Sequence, residues 1–304
     1  METVQTFLAA NLKTILFIAL AVVSVWFVGA WIEVTRKKAW TTYHSLVGFV
    51  MCFFDTLGIG NFATTTSAFK FRSSIPDEQI PGTLNVGYAL PTVVQAFIYI
   101  SIVQVDVLTL ALMIAASVAG AWLGAGVVSR WPRHHIRIGM GFCLFGAAGL
   151  MLLSQLKLVP GGGEALQLQG LKLVLGLGGN FALGALMALG IGLYAPCLIL
   201  VSLLGMDPRA AFPIMMGSCA FLMPIGGMRF IQRGSYNLTT SIVLTFSGIP
   251  AVLIAAYIVR QLTLTQVRWL VVGVVIYTAT MMLRSAFTEK QPAPIRRTDS
   301  AVAD

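Results

Sequence analysis

Long apolar segments follow one another along almost the whole chain. A helix that crosses a membrane needs about 20 residues, because each residue advances it by about 1.5 Å through roughly 30 Å of hydrocarbon. Seven of the apolar segments have that length, and two are much longer. The pattern therefore predicts an all-α polytopic membrane protein with about seven full transmembrane helices. In order, the segments cover about 12–32, 43–71, 84–102, 107–128, 138–156, 171–204, 210–231, 239–259 and 267–284.

Each of the two longer segments is interrupted by a Gly-Ile-Gly motif. The first reads LGIGNFA from Leu57 to Ala63, and the second reads LGIGLYAP from Leu189 to Pro196, about 132 residues later. A glycine weakens a helix by roughly 1 kcal/mol relative to alanine, so paired glycines indicate a break. As continuous helices these segments would extend roughly 43 and 50 Å, which is long for one crossing. We therefore predict two broken re-entrant hairpins, each returning to the side from which it entered.

The distribution of lysine and arginine favours hairpins over simple crossings. With hairpins and an external N-terminus, 14 basic residues lie on the cytoplasmic side and 6 lie outside. With two simple crossings the division is 11 to 9, which favours neither orientation. Cytoplasmic loops carry an excess of lysine and arginine, so we predict an external N-terminus and a cytoplasmic C-terminus.

The two halves of the chain read as repeats that face opposite ways. Each half contains one hairpin and three crossings, an odd number, and Pro76 and Pro81 match Pro208 and Pro213 at the same offset. Inverted repeats with broken helices near the midplane are typical of alternating-access transporters. The predicted units are an extra N-terminal helix (1–40), a first repeat (41–159), a linker (160–170), a second repeat (171–287) and a cytoplasmic tail (288–304).

Composition excludes several other classes of protein. Hydrophobic residues make up 57% of the chain, charged residues 10%, and the mean hydropathy is +0.85, so the chain is a membrane protein with lipid around it. Its net charge of +9 comes from residues at segment ends, which indicates topology signals and no nucleic-acid partner. The four cysteines and three histidines show no metal-ligand spacing, and no phosphate loop is present, so we expect no cofactor.

The glycine breaks carry the residues of the predicted substrate site. The start of a helix exposes unpaired N–H groups and the positive end of the helix dipole, so two return helices meeting near the midplane would bind an anion. The alternative is that threonine and asparagine merely cap two helix starts. The candidate residues are Gly58, Gly60, Asn61, Thr64 and Thr65 in the first half, and Gly190, Gly192, Tyr194 and Pro196 in the second.

Asp55 is the one acid that the pattern places deep in the membrane. A carboxylate there is costly and is by default functional, as a proton carrier or a cation partner; the alternative is a hydrogen-bonded structural residue. Asn85, Gln95 and Ser218 are polar groups on otherwise apolar helices. They face either the substrate cavity or a neighbouring helix.

These features predict a secondary transporter of a small anion and not an enzyme. Neither a nucleophile with a paired base nor an ATP site is visible in the sequence, so transport would be driven by protons, by another ion or by the substrate's own gradient. Two alternatives stay open at this point, a passive anion channel and an intramembrane enzyme that uses Asp55. The oligomeric state is not indicated.

Two stretches resemble one known family. They are GIGLYAPCLILVSLLGMDPRAAFPIMMGSCAF at 190–221 and FDTLGIGNFATTTSAF at 54–69. With the two-repeat layout, they resemble the TauE/SafE sulfite-exporter family, also called the toluene sulfonate uptake permease superfamily, over roughly residues 43–284. The first segment, 12–32, is expected to lie outside the matching region. The resemblance implies a permease of the bacterial inner membrane for sulfite, sulfonates or related sulfur-containing or organic anions.

The chain departs from the usual motif of that family in one respect. A run of glycines followed by a proline normally comes after Gly-Ile-Gly. Here Asn61-Phe62 and Leu193-Tyr194 replace those glycines, and only the second copy keeps a proline, Pro196. Bulkier side chains at the breaks are expected to narrow or reshape the site.

Overall fold

The computed structural model describes residues 2–32, 42–124, 133–156, 163–187 and 192–288. Within these ranges the backbone is helical almost throughout, and the one pairing of extended chain is an isolated bridge between Ala165 and Met206. The predicted all-α class is confirmed. The helices are α1 (Glu2–Ile32), α2 (Thr42–Thr56), α3 (Phe62–Arg72), α4 (Ile80–Gly87), α5 (Ala89–Ile102), α6 (Val107–Ala119), α7 (Arg133–Gln155), α8 (Gly170–Met187), α9 (Tyr194–Leu203), α10 (Ala211–Gln232), α11 (Leu238–Gln261) and α12 (Leu264–Thr288).

The first glycine motif breaks its helix and reverses the chain. Gly58 and Gly60 have φ angles of +98° and +83°, a region that favours glycine, and α3 begins two residues after Gly60. The Tyr43 hydroxyl near the start of α2 donates to the Ala68 carbonyl near the end of α3 over 2.8 Å. The guanidinium of Arg72 lies 4.5 Å from the centre of the Tyr43 ring. Entry and exit therefore share one side, and the first hairpin is confirmed.

The second glycine-containing segment has the same form. A Cβ built on Gly179 of α8 would lie 2.7 Å from Leu200 Cδ2 of α9, and one on Gly205 would lie 3.3 Å from Lys172 Nζ. The start of α8 thus lies beside the end of α9, as a hairpin requires. Residues 188–191, which hold the first part of this motif, lie outside the described residues.

Equivalent helices of the two halves run antiparallel. A Cβ on Gly227 would lie 3.3 Å from the Asn85 carbonyl, the Thr92 hydroxyl contacts Met223 Sδ at 3.4 Å, and a Cβ on Gly217 would lie 3.7 Å from Ile100 Cδ1. From the start of α4 to the end of α5, the contacted residues on α10 therefore run from its end towards its start. Repeats related by an axis in the membrane plane pair in this direction, so the contacts support the inverted arrangement.

The hairpins also interlock the two halves. The Asn180 amide of α8 donates to the Met113 carbonyl of α6 over 2.6 Å, and Thr240 of α11 contacts His44 of α2 at 3.2 Å. The entering legs of the hairpins thus pack in parallel against helices of the other half, α8 against α6 and α2 against α11. Small residues allow this close approach, because a Cβ on Gly184 would clash with the Ser117 carbonyl.

A proline explains the interruption between α4 and α5. Pro91 has no N–H, so the Gly87 carbonyl four residues earlier has no helical donor. The Thr245 hydroxyl of α11 donates to that carbonyl over 2.6 Å instead. The free carbonyl at this interruption thus makes a polar contact between the halves.

The hairpin directions define two faces of the molecule. The first face carries residues 72–80 and 233–237. There, the backbone N–H of Asn237 donates to the Thr83 hydroxyl over 2.9 Å. The second face carries residues 103–106, 163–169, 204–210 and 262–263. There, Arg268 at the start of α12 lies 3.8 Å from Glu164 in the predicted linker.

Six described helical segments are long and apolar enough to cross a membrane. Five of them coincide with predicted crossings, and the sixth, Gly170–Met187, is the entering leg of the second hairpin. The predicted crossings 107–128 and 138–156 are represented by the shorter apolar helices Val107–Leu123 and Ile138–Leu150. A polytopic membrane protein is therefore confirmed. The six segments are Asn11–Gly29, Asp77–Ile102, Gly170–Met187, Pro208–Gln232, Leu238–Gln261 and Thr265–Arg284.

Candidate functional site

The turn of the first hairpin packs against the return helix of the second. Gly58 is buried, and a Cβ built on it would lie 3.2 Å from Leu198 Cδ1 of α9 and 3.8 Å from Phe212 Cε1 of α10. Its positive φ and this close contact both require a residue without a side chain. The first break therefore lies at the junction between the halves, where the sequence places the site.

A chain of three buried polar side chains joins the two hairpins. Gln95 Nε2 on α5 donates to Asp55 Oδ2 over 2.9 Å, and the Tyr194 hydroxyl donates to Gln95 Oε1 over 3.0 Å. Asp55 is 2% exposed, Gln95 0% and Tyr194 6%. Hydrogen bonds to a charged group are strong where water is excluded. The structure thus brings together two predicted residues, Asp55 and Tyr194, through the Gln95 amide. We call Asp55, Gln95 and Tyr194 the central network.

Further buried hydroxyls support the central network. Gln95 Nε2 also donates to Thr56 Oγ1 over 2.9 Å, and the Tyr99 hydroxyl donates to the Thr56 carbonyl over 3.0 Å. Thr65 Oγ1 and the Tyr88 hydroxyl are 2.9 Å apart, and both residues are fully buried. These contacts fix the first break against α4 and α5.

Both return helices begin at this junction without a side-chain cap. Asn61 and Leu193 occupy the N-cap positions of α3 and α9, and neither side chain bonds to its helix. The first helical hydrogen bond of α3 runs from the Thr65 amide to the Asn61 carbonyl, so the preceding N–H groups have no acceptor within the helix. The Asp55 carboxylate lies near the Asn61 backbone N–H. The chain's own acid therefore lies at the positive end of α3.

Several predicted site residues lie outside the central network. Thr64 Oγ1 bonds to the Gly60 and Asn61 carbonyls of its own turn, at 3.3 and 3.0 Å. The Asn85 amide donates to Pro81 on its own helix, and Ser218 contacts Asn180 between α8 and α10. Pro196 is buried as the third residue of α9, and Gly192 is exposed just before that helix. Gly190 lies outside the described residues.

Beside Gln95, the site contains Tyr88, Thr92 and Tyr99, which sequence reasoning did not select. Tyr88, Thr92, Gln95 and Tyr99 are spaced three or four residues apart, so they occupy one face of the helix. All four make hydrogen bonds toward the first hairpin or the second half. A polar stripe with helical period inside an apolar segment was the signal that could have identified them.

A water-accessible cavity lies on the second face, next to the site. It has a volume of about 290 Å³, and Tyr99 and Phe212 form part of its lining. A neighbouring, more open cavity of about 740 Å³ is lined by Lys13 of α1 and by residues 100–107. No group of three or more histidine, cysteine or acidic side chains that would suit a metal ion occurs among the described residues.

Comparison with known proteins finds a resemblance to one family. The model of the sulfite exporter TauE/SafE family matches residues 3–151. No curated protein and no solved structure matches the chain. The match begins at residue 3, so our expectation that segment 12–32 lies outside the matching region is wrong. α1 packs into the bundle, where Phe17 stacks on Phe97 with ring centres 5.3 Å apart, so it is part of the same structural unit.

The match covers the first hairpin, the polar stripe and Asp55, and it ends in α7. The second half is related to it through the internal repeat described above. The chain is therefore a polytopic membrane protein that resembles, over residues 3–151, the sulfite exporter TauE/SafE family of membrane transporters for sulfur-containing anions.

Proposed function

We propose that this protein is a secondary transporter of a small anion, such as sulfite or a sulfonate, that works by alternating access. One observation carries the proposal: two broken hairpins, open to opposite faces, meet around the buried Asp55, Gln95 and Tyr194. Broken helices at a repeat interface are where secondary transporters bind their substrates. The proposed location is the bacterial inner membrane, with the second face external and the first face cytoplasmic.

The anion is held by the uncapped starts of α3 and α9. Each helix end contributes about 0.3–1 kcal/mol at a surface and about 2 kcal/mol when partly buried. Hydrogen bonds from N–H or hydroxyl groups to a charged ligand add about 1.5–3 kcal/mol each. Two helix ends and the Thr65 hydroxyl would give an affinity between millimolar and micromolar, about −4 to −8 kcal/mol.

The proposed role of Asp55 is to couple the anion to a proton. An ionised Asp55 takes up the Asn61 amide and repels a second negative charge at the same helix end. Protonation removes that charge and frees the helix end for the substrate. Proton and anion would therefore bind together and cross together, so a proton gradient would drive accumulation of the anion.

A transport assay with purified protein in proteoliposomes tests this proposal. A first screen reads thermal stabilisation by sulfite, thiosulfate, sulfonates and carboxylates. Labelled ethanesulfonate, or the strongest ligand from the screen, is then offered with an inward proton gradient, with and without a protonophore. Concentrative uptake that the protonophore abolishes supports the transporter.

The other outcomes separate the remaining functions. Flux that only equilibrates the two compartments would mean a passive channel. A chemically altered product would mean an enzyme. Liposomes without protein, run in parallel, give the leak that must be subtracted.

A further inference from the structure

The cavity of about 290 Å³ on the second face lies between helices of both halves. Its lining comes from the end of α5, the start of α10, the end of α11 and the start of α12. We call this cavity the vestibule. Its aromatic, polar and charged lining includes Tyr99, Gln104, Asp207, Arg209, Phe212 and Arg260.

Two stacked rings separate the vestibule from the central network. The rings of Tyr99 and Phe212 have centres 5.3 Å apart and an interplanar angle of 12°. Tyr99 is 0% exposed and bonds to Thr56, while Phe212 lies against Gly58. One side of this pair thus contacts the first break, and the other side lines the vestibule. An anion that passed the rings would arrive beside Asp55.

The vestibule carries more positive than negative charge. Arg209 is half-buried, and its guanidinium donates to the Leu262 carbonyl over 3.3 Å. Arg260 is exposed, and neither arginine forms an ion pair with any residue in the described ranges. The one acid in the lining is Asp207, whose Oδ1 accepts from the Arg209 backbone amide over 2.8 Å. The charged lining is therefore two arginines against one aspartate, in a concave space that strengthens their field.

The equivalent position on the first face is closed. Gly82 on α4 corresponds to the start of α10 in the other half, and a Cβ built there would clash with the Ser235 carbonyl. The ring of Phe230 would lie 2.9 Å from the same Cβ, and Ser241 Oγ donates to the Thr83 carbonyl over 3.2 Å. α4 is thus sealed against the loop before α11. The two equivalent positions therefore differ, since α4 is packed closed at Gly82 while the start of α10 lines the vestibule.

We infer that the vestibule is a second anion site, in which Arg209 and Arg260 capture the substrate before it passes the Tyr99 and Phe212 rings. The inference rests on the proposed function for its substrate class, a small oxyanion of sulfur. Guanidinium groups suit such ligands, because their N–H donors match planar or tetrahedral oxyanions in pairs. Capture here raises the local anion concentration at the rings. It also gives substrate that enters from the second face a separate binding step with its own affinity.

A charge-selective labelling experiment tests the vestibule without any transport. Gln104 is exposed and lines the cavity, so Gln104→Cys in a Cys143→Ser background supplies one accessible thiol, since the remaining cysteines are buried. The rates of modification by an anionic and a cationic methanethiosulfonate are compared in detergent. The ratio of anionic to cationic rate should fall on the order of tenfold in Arg209→Gln/Arg260→Gln.

Two control variants and one ligand complete the labelling experiment. Arg209→Lys, which keeps the charge, should retain most of the ratio, and Arg233→Gln, at an exposed arginine on the first face, should leave it unchanged. Millimolar ethanesulfonate should slow modification of the introduced thiol in the parent and not in the double variant. The inference is overturned if the rate ratio is unchanged in Arg209→Gln/Arg260→Gln, or if ethanesulfonate still slows modification of the thiol in that variant.

Transport kinetics then separate this inference from the proposed function. In Arg209→Gln/Arg260→Gln, KM for ethanesulfonate offered at the second face should rise at least fivefold, while kcat and the KM from the first face stay within twofold. An unchanged KM at the second face in a working transporter refutes the vestibule site alone. Absence of anion flux in the parent protein refutes the proposed function, and the labelling result still decides whether the vestibule binds anions.

Discussion

The hydroxyl of Tyr194 lies 3.0 Å from Oε1 of Gln95, and this hydrogen bond joins the return helix of the second hairpin to α5 of the first half. The same glutamine uses its Nε2 atom for Asp55 and Thr56. One side chain thus connects both breaks, and any relative movement of the two hairpins must stretch or exchange its bonds.

Tyr194→Phe removes one hydroxyl at nearly constant shape and leaves Gln95 Oε1 without its donor. Loss of a buried partner costs about 1–3 kcal/mol, so the free energy of unfolding in detergent should fall by that amount. Tyr257→Phe is the matched control, since Tyr257 is 65% exposed, and it should change stability by less than about 0.5 kcal/mol. Equal effects of the two substitutions would show that the bond to Gln95 contributes nothing.

Adjacent threonines of α3 should respond differently to valine. Thr65→Val leaves the buried Tyr88 hydroxyl unpaired and should cost about 1–3 kcal/mol of stability and weaken anion binding. Thr64→Val removes bonds that Thr64 makes only to carbonyls of its own turn, so its effect on both measurements should be smaller. Chemical unfolding and titration calorimetry with ethanesulfonate give the two readings. A larger loss of affinity in Thr64→Val would place the ligand on the other side of α3.

The glycines of the two breaks should not tolerate alanine equally. Gly60 has a φ of +83°, and an L-residue in that region costs about 1–2 kcal/mol although no atom lies within 4 Å of the added Cβ. Gly192 has equal space and no positive φ, so Gly192→Ala should be nearly neutral. Thermal unfolding of the two variants measures the difference. Gly58→Ala should be the most harmful of the three, because it combines a φ of +98° with contact to Leu198.

The hairpins and the orientation can be tested by labelling from one side. Glu78 is exposed on the first face and Gln167 on the second. Glu78→Cys and Gln167→Cys each add one accessible thiol to the Cys143→Ser background, and the two should react from opposite sides of the membrane with an impermeant maleimide. We expect Gln167→Cys to react in intact cells and Glu78→Cys only after permeabilisation. Reaction of both from the same side would contradict the three crossings between these residues, and the reverse orientation would contradict the first hairpin with an external N-terminus.

Local sequence signals were sufficient to predict the hairpins. Paired glycines report a backbone that cannot stay helical, and basic residues report the side of each loop, so both properties belong to short stretches of chain. The positive φ angles at Gly58 and Gly60 and the contact between Tyr43 and Ala68 confirm the first hairpin. Each half has an odd number of crossings, and this predicts that the equivalent helices α5 and α10 pack in opposite directions.

Membership of the central network was harder to predict because it depends on depth as well as on helix face. Asn85 precedes Gln95 by ten residues, about 15 Å along a helix, and its side-chain amide donates to Pro81 within α4. Tyr88 and Tyr99 read as ordinary packing residues in an apolar helix. Their hydroxyls gain partners only through contacts with Thr65 and Thr56, which lie 23 and 43 residues away in sequence. Such long-range partners leave no local pattern.

The sharpest test of proton coupling through Asp55 uses the Asp55→Asn variant in proteoliposomes. The measurement is its accumulation of labelled ethanesulfonate, or of the strongest ligand from the screen. The asparagine keeps the shape and a partner for Gln95 but cannot carry a proton. We predict that accumulation under an inward proton gradient is lost, while exchange of external for internal anion at equal pH continues. Accumulation that persists at the level of the parent protein would contradict the coupling role of Asp55 and, with it, proton-driven transport of the anion.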